Sequence, residues 1–222
     1  QPDPYDAIYH DFRWQIPHEF NWFEACCARW ARQTPLATAL ICEHERGDVA
    51  AFNFADLHTS ALRLAGALTA LGVVRGDRVA IVMPQRFETA VAQMAVSALG
   101  AVAMPLSMLF GADALLYRLL DSEAMLAVAD ESSIENLLVA RAEAPALRHI
   151  VAVGGAAGRG SVDWQTCLLG RHAPITPVAT LADDPAVLIY TSGTTGAPKG
   201  ALIPQRALIG NLSGFVASQN WF

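Results

Sequence analysis

The sequence has few charged residues and no strongly basic region. Charged residues make up 16% of the 222 residues, and the formal net charge at pH 7 is -6. Proteins bind the phosphate backbone of nucleic acids through clustered Lys and Arg, so this composition argues against a nucleic-acid partner. An anionic small molecule would have to be held locally, by backbone amides, hydroxyl groups and one or two cations in a loop.

Cysteine is also scarce, and its spacing matches neither a C-x-x-C pair nor a metal site. The four cysteines form no C-x-x-C pair and no His-flanked metal spacing; they are Cys26, Cys27, Cys42 and Cys167. This pattern is typical of reduced thiols in the protein interior. We therefore predict a cytoplasmic protein with no metal-binding residues of its own in this chain.

Long apolar runs are absent apart from one charge-free segment. The residues from Thr89 to Ala112 carry no charge and are numerous enough to span a bilayer. Gly100 and Pro105 interrupt this segment, and the pattern predicts a helix end followed by a buried strand. The first residues show no signal-peptide pattern, and the missing initiator Met suggests that upstream residues were removed. We expect no transmembrane segment.

The sequence is rich in apolar residues, at 53%, and these follow alternating helical and extended patterns. Strand patterns occur at RVAIVM, AVAMPL, MLAVAD and HIVAV, with helical patterns between them. One helical face is formed by residues spaced three and four apart, namely Leu57, Ala61, Leu64, Leu68 and Leu71, with Gly72 at its end. The alternation predicts an α/β fold with a mostly parallel sheet flanked by helices.

The segments around this alternation predict how the chain is organised. Residues 21–32 predict a helix with Asn21 as N-cap, and ALICEH and VAAFNF predict a hairpin. The Gly- and Pro-rich stretch 154–177 predicts a surface excursion around a short helix near Trp164. We therefore divide the chain into an N-terminal arm and helix (1–35), an α/β subdomain (36–180), and a loop with its following helix (181–222).

The segment most indicative of function is YTSGTTGAPKG, from Tyr190 to Gly200, which follows an apolar strand pattern. Between Thr191 and Gly196 it supplies hydroxyl groups and glycines in quick succession. Glycine permits positive φ, so backbone N–H groups can approach a phosphate closely while the hydroxyls donate further bonds. Lys199 adds a mobile cation. The segment is predicted to bind a polyphosphate, and a simple hydroxyl-rich surface turn is the alternative.

Other nucleotide-binding and catalytic motifs fit poorly. The loop is not a Walker A motif, because Pro198 precedes the lysine and Gly200 follows it. The glycines of VAVGGAAGRG do not match the dinucleotide fingerprint, and no clear helix opens after them. The G-x-S-x-G motif of many hydrolases is absent, and the six histidines show no spacing that assigns a base to Ser192.

The loop resembles the signature of the adenylate-forming superfamily, which contains acyl-CoA synthetases, luciferases and peptide-synthetase adenylation domains. The resemblance extends upstream to GDRVAIVMPQRFETAVAQMAVSALGAVAMPLS and YRLLDSEAMLAVAD. DFRWQIPHEFN is similar to the start of the medium-chain acyl-CoA and acetyl-CoA synthetase branch. Together these segments cover most of the chain.

This resemblance implies ATP, Mg²⁺ and CoA as cofactors. It implies that the β and γ phosphates of MgATP are bound by Thr191, Ser192, Gly193, Thr194, Thr195 and Gly196, and that Lys199 is catalytic, acting on the departing pyrophosphate. The family reaction converts a carboxylic acid and ATP to acyl-AMP and pyrophosphate, and then transfers the acyl group to CoA. A short- or medium-chain fatty acid is the expected substrate. An aryl-CoA ligase and a peptide-synthetase adenylation domain are alternatives.

The resemblance also implies what this chain does not contain. Family members are more than twice as long, and their adenine, ribose and Mg²⁺ sites and small C-terminal domain would follow Phe222. We therefore expect the N-terminal portion of the large domain, inactive on its own. A non-catalytic α/β fragment that binds phosphate or partners is the alternative from another class. Apolar surface exposed by truncation would favour a homo-oligomer.

Overall fold

The structure is a computed structural model that describes residues 4–43, 47–191 and 196–218. Its N-terminal part contains helix α1 (Pro4–Asp11) and a π-helical turn (Glu24–Ala28) that continues into helix α2 (Arg29–Gln33). The Asn21 side-chain oxygen accepts hydrogen bonds from the backbone N–H groups of Phe23 (2.8 Å) and Glu24 (3.3 Å). The predicted N-cap is therefore confirmed, although the middle of the predicted helix is π-helical.

A hairpin and a long helix follow. Strands β1 (Thr38–Glu43) and β2 (Val49–Asn53) pair in antiparallel register, as predicted. Helix α3 (Phe54–Ala70) begins with a capping box, since the Asp56 N–H donates to Asn53 Oδ1 (2.8 Å) and the Asn53 N–H donates to Asp56 Oδ2 (3.1 Å). It ends before Gly72, whose φ of +92° suits the predicted glycine cap.

The remaining strands form a seven-stranded sheet with the order β7-β6-β5-β3-β4-β8-β9. All neighbouring pairs are parallel except β8 and β9, which are antiparallel. The strands are β3 (Arg78–Val82), β4 (Val102–Pro105), β5 (Leu126–Ala129), β6 (His149–Ala152), β7 (Val162–Asp163), β8 (Pro185–Thr191) and β9 (Lys199–Pro204). This mostly parallel sheet confirms the predicted fold class.

Helices cover both faces of the sheet because the central strands bury side chains on both sides. On one face, α3, α4 (Phe87–Ala98) and α7 (Trp164–Leu169) pack over Val79 and Ile81 of β3. On the other, α5 (Ala112–Ser122) and α6 (Ile134–Arg141) pack over Ala80 and Val82. The sheet centre is thus a two-sided apolar core, as parallel sheets require.

The charge-free run 89–112 contributes to this core. It includes all of α4 except its first two residues and the whole of β4, and between them Gly100 has a φ of +63°. No helix in the described ranges is both long and apolar enough to cross a membrane. All four cysteines are free, and Cys27 and Cys167 are buried. The glycine cluster after β6 forms only a 3-10 turn (Gly154–Ala156) ahead of β7, so no dinucleotide-binding helix follows it.

The N-terminal segment contacts the region where β9 gives way to the last helix, α8 (Ala207–Ser218). The Trp22 indole N–H donates to the Gln205 carbonyl (2.6 Å), and the Trp22 backbone N–H donates to Gln205 Oε1 (3.0 Å). Gln205 is completely buried. These bonds connect the start of the chain to the hairpin that carries the candidate site.

Candidate phosphate-binding site

The candidate site lies at the end of the β8–β9 hairpin, at one edge of the large sheet. Thr191 pairs with Lys199, Tyr190 with Gly200, and Ile189 with Ala201. Residues directly opposite each other in an antiparallel pair have Cβ atoms about 4.5–5.5 Å apart. Thr191 and Lys199 therefore stand side by side at the base of the predicted loop, with both side chains exposed.

The structure describes three of the seven predicted site residues. Thr191 is the last residue of β8, and Lys199 is the first residue of β9 rather than a loop residue. Gly196 has a φ of +111°, and a Cβ at this position would meet nothing within 4 Å, so the backbone here is open to solvent. The other predicted residues, Ser192, Gly193, Thr194 and Thr195, lie outside the described residues.

Lys199 is the only lysine in the sequence. In the ranges 4–43, 47–191 and 196–218, every ion pair uses an arginine as its cation, and Lys199 takes part in none. Its ammonium group is therefore available to an external anion. The presence of a single lysine at the end of this loop is a compositional signal, visible in the sequence, that this position has a role.

Helix α5 holds the base of the hairpin through hydrogen bonds to both strands' ends. The Tyr190 hydroxyl donates to Asp121 Oδ2 (2.6 Å), and the Tyr117 hydroxyl donates to the Pro198 carbonyl (3.0 Å). A Cβ on Gly200 would lie 3.0 Å from Cδ1 of Leu188 and 3.4 Å from Cζ of Tyr190, so glycine here leaves room mainly for the Leu188 side chain, with the Tyr190 ring in ordinary contact beside it. These contacts fix the strand ends on either side of the loop.

Arg118 lies beneath the same hairpin and is only 7% exposed. Its guanidinium carbon is 4.0 Å from the Phe110 ring centroid and 5.5 Å from that of Tyr190, which places a cation against two aromatic rings. Burial, together with the hydrogen bond to Asp121, raises the pKa of Tyr190 well above its usual value. The Tyr190 phenol therefore keeps its proton and remains a hydrogen-bond donor over the physiological pH range.

These supporting residues were not predicted from the sequence. Tyr117 and Asp121 are four residues apart, so they project from one face of α5, and this spacing was the available signal. Nothing in the sequence indicated that β8 and β9 would lie across that face. The support therefore depends on tertiary packing.

A cavity opens at the same edge of the sheet, outside the carboxyl ends of β3 and β4. It has a volume of about 340 Å³ and is lined by residues that include Met83, Gln85, Gln93, Leu106 and Ser107. The helix after β3 (α4) and the helix after β4 (α5) pack on opposite faces of the sheet. Such a switch point is where open α/β sheets bind small ligands. Because β8 is parallel to β4, the Thr191 end of β8 lies at this edge too.

A polar cluster at the ends of β3 and β5 is satisfied internally. Arg86 donates to Glu88 Oε2 (2.7 Å) and to Asp130 Oδ2 (3.2 Å), and Asp130 is 1% exposed. The Ser132 N–H also donates to Asp130 (3.0 Å). No group of three His, Cys, Asp or Glu side chains within the described ranges could hold a metal ion. This cluster therefore stabilises the loops after the strands.

Comparison with known proteins connects this geometry to a family. The family model described as AMP-binding enzyme matches residues 27–222. The chain belongs to the AMP-binding enzyme family. It is 32% identical over 227 residues to an acetyl-coenzyme A synthetase of Thiobacillus denitrificans, covering 95% of this chain and 34% of that protein. It is 37% identical over 152 residues to a long-chain-fatty-acid–CoA ligase of Mycobacterium bovis, covering 66% of this chain and 25% of that protein.

Two solved structures of CoA synthetases share the fold. The acetoacetyl-CoA synthetase from Streptomyces lividans aligns with a TM-score of 0.81 and 26% identity, over 95% of this chain and 37% of that chain. The Brucella canis acyl-CoA synthetase aligns with a TM-score of 0.77 and 26% identity. These matches confirm the resemblance and the fold class. The chain spans about a third of the length of these relatives.

Proposed function

We propose that the chain is the N-terminal portion of the large domain of an acyl-CoA synthetase, acting in the cytoplasm. The enzyme would convert a carboxylic acid and ATP to acyl-AMP and pyrophosphate, and would then transfer the acyl group to CoA. The observation that carries the proposal is the pairing of Thr191 with Lys199, the only lysine, at the base of a hydroxyl- and glycine-rich loop. Relatives named as an acetyl-coenzyme A synthetase and a long-chain-fatty-acid–CoA ligase support the reaction class.

The loop's role in this proposal is electrostatic. Backbone amides and hydroxyls of Thr191, Ser192, Gly193, Thr194, Thr195 and Gly196 would hold the β and γ phosphates of ATP. The open backbone and positive φ of Gly196 fit such a cradle, because a side chain there would be strained. The Lys199 ammonium would stabilise the charge that accumulates on the leaving pyrophosphate. We assign no metal ligand to this chain, and Mg²⁺ would enter bound to the ATP phosphates.

The proposed division of the chain follows the same logic. We assign residues 1–35 to an N-terminal arm and helix, 36–180 to the α/β subdomain, and 181–222 to the phosphate-binding segment with its helix. Adenine, ribose and acyl binding are assigned to sequence beyond this portion, since the relatives are about three times as long. The 222-residue chain would then bind phosphate weakly and would not turn over, because adenylation needs the carboxylate and the α-phosphorus held in line.

ATP–pyrophosphate exchange tests this proposal, with acetate, butyrate, octanoate and benzoate as the acid panel. It should be measured on the 222-residue chain and on a longer form that carries the remaining length of the relatives. We expect acid-dependent exchange by the longer form alone, strongest with a short- or medium-chain fatty acid. Preference for benzoate would indicate an aryl-CoA ligase. No exchange with either form would favour a non-catalytic phosphate- or partner-binding protein.

A further inference from the structure

We infer that helix α5 positions the phosphate-binding loop, with Tyr117 and Asp121 as positioning residues for Thr191 and Lys199. The expected effect on phosphate binding rests on the proposed function, whereas the contacts themselves do not depend on it. Each contact reaches the residue next to a proposed phosphate ligand. Asp121 accepts from Tyr190, which precedes Thr191, and Tyr117 donates to Pro198, which precedes Lys199.

The hairpin end has little other support. Residues Lys199 to Leu202 of β9 are all exposed, and β9 is the edge strand of the sheet, pairing only with β8 among the described strands. Ile189 of β8 is 42% exposed. With so little apolar burial near the loop, the strand ends depend on backbone pairing and on the polar contacts from α5.

Helix α5 is a firm base for these contacts because its opposite face belongs to the core. Leu115 is fully buried and Leu119 is 1% exposed, and both pack under the sheet. Arg118, between them, presents its guanidinium to the Tyr190 ring and donates from Nη1 to the Ala114 carbonyl (2.6 Å). The Tyr190 ring therefore lies between β9 and a cation fixed to the core.

Fixing both strand ends has a chemical consequence. A site that recognises phosphate needs its groups held to within about 0.5 Å of the productive geometry. Tyr117 and Asp121 lie one turn apart on α5, so one rigid element sets the position of both sides of the loop. Loss of either contact should loosen one side while leaving the fold intact, because Asp121 is exposed and Tyr117 is 37% exposed.

The first test uses hydrogen exchange without ligand on the Tyr117→Phe and Asp121→Ala variants. The matched control is Asp113→Ala, which removes another exposed aspartate from the first turn of the same helix. We expect amides at the end of β8 and the start of β9 to exchange about fivefold to tenfold faster in the two variants, the ratio for one lost net hydrogen bond. The control should leave these amides within about twofold of wild type, and β3 and β5 should be unchanged in all three. Unchanged exchange of the hairpin amides in both variants would overturn the inference.

The second test measures the site itself. Because Lys199 is the only lysine, an amine-acylating reagent followed by peptide mapping reports on one side chain. Inorganic tripolyphosphate should protect Lys199 in the wild type, and both variants should need about fivefold to tenfold more of it. Asp121→Asn, which keeps an acceptor for Tyr190, should restore most of the protection.

The two tests separate two kinds of failure. Faster hairpin exchange in the variants without any protection of wild-type Lys199 would support the positioning contacts and contradict the proposed function. Protection that is equal in wild type and both variants would contradict the positioning role while leaving the proposed function in place.

Discussion

The centre of the sheet and its β8–β9 edge are built in different ways. All four residues of β5 are buried, with helices on both faces, whereas four of the six residues of β9 are exposed. The centre is stabilised by apolar burial and the edge by backbone pairing and a few polar contacts from α5. The proposed chemistry lies at the edge because a phosphate ligand needs accessible amides, hydroxyls and a cation. Most of the stability and the proposed binding are thus assigned to separate regions of the sheet.

The largest expected difference between the regions is in the cost of removing an apolar side chain. Leu119→Ala, in the core under the sheet, should lower the free energy of unfolding by about 2–5 kcal/mol. Leu202→Ala, on β9 with 54% of the residue exposed, should cost less than about 1 kcal/mol because little burial is lost. Urea unfolding followed by circular dichroism measures both. Equal losses would show that the edge is packed as tightly as the centre.

The second-largest effect is expected at alkaline pH, where ionisation of buried core thiols should lower the free energy of unfolding. Burial raises the pKa of Cys27 to about 12 and that of Cys167 to about 11. Above the ordinary thiol pKa, an unfolded thiol is ionised while the folded one keeps its proton, so the folded state binds more protons and loses stability as the pH rises. Each thiol should lower the free energy of unfolding by about 1.4 kcal/mol per pH unit in this window.

Urea unfolding at pH 8, 9, 10 and 10.5 checks this slope. Cys167→Ala should reduce the slope above pH 9 by one thiol's contribution. A free energy of unfolding that stays constant up to pH 10.5 would contradict the burial of these thiols.

At the edge, a single hydrogen bond should have a smaller effect. Tyr190→Phe removes the bond to Asp121 and should lower the free energy of unfolding by about 0.5–1.5 kcal/mol. Asp121→Ala in the Tyr190→Phe background should add little, because the shared bond is already gone. The four urea unfolding curves of this cycle measure the coupling. Fully additive losses would mean that the two side chains do not support each other.

Much of the fold could be predicted from the sequence because its determinants are local and repetitive. The apolar spacing of α3, the glycine after it, and the strand patterns from RVAIVM to HIVAV all correspond to elements of the structure. The sequence did not predict that Lys199 begins a strand, β9, that pairs antiparallel with β8. That pairing depends on how the chain turns back after β8. The contacts of Tyr117 and Asp121 were not predicted, because they join elements distant in sequence and require the tertiary structure.

The smallest expected effect on stability belongs to the proposed catalytic residue. Lys199→Ala should change the free energy of unfolding by less than about 0.5 kcal/mol, since the side chain is exposed and makes no ion pair in the described part of the chain. In a longer form that adenylates, the same variant should slow adenylation by about 10²–10³ while acid binding changes little. Urea unfolding and single-turnover kinetics measure the two effects. An unchanged adenylation rate would remove Lys199 from the site.

The most direct test of the central claim is calorimetric titration of the 222-residue chain with ATP at low salt. The variants to compare are Lys199→Ala and the control Arg206→Ala, which removes a cation beyond the opposite end of β9 that is paired with Asp183. We expect weak, saturable binding that falls with added salt, survives in Arg206→Ala and is lost in Lys199→Ala. Binding of equal strength in wild type and Lys199→Ala would contradict the assignment of the β8–β9 loop as the phosphate site.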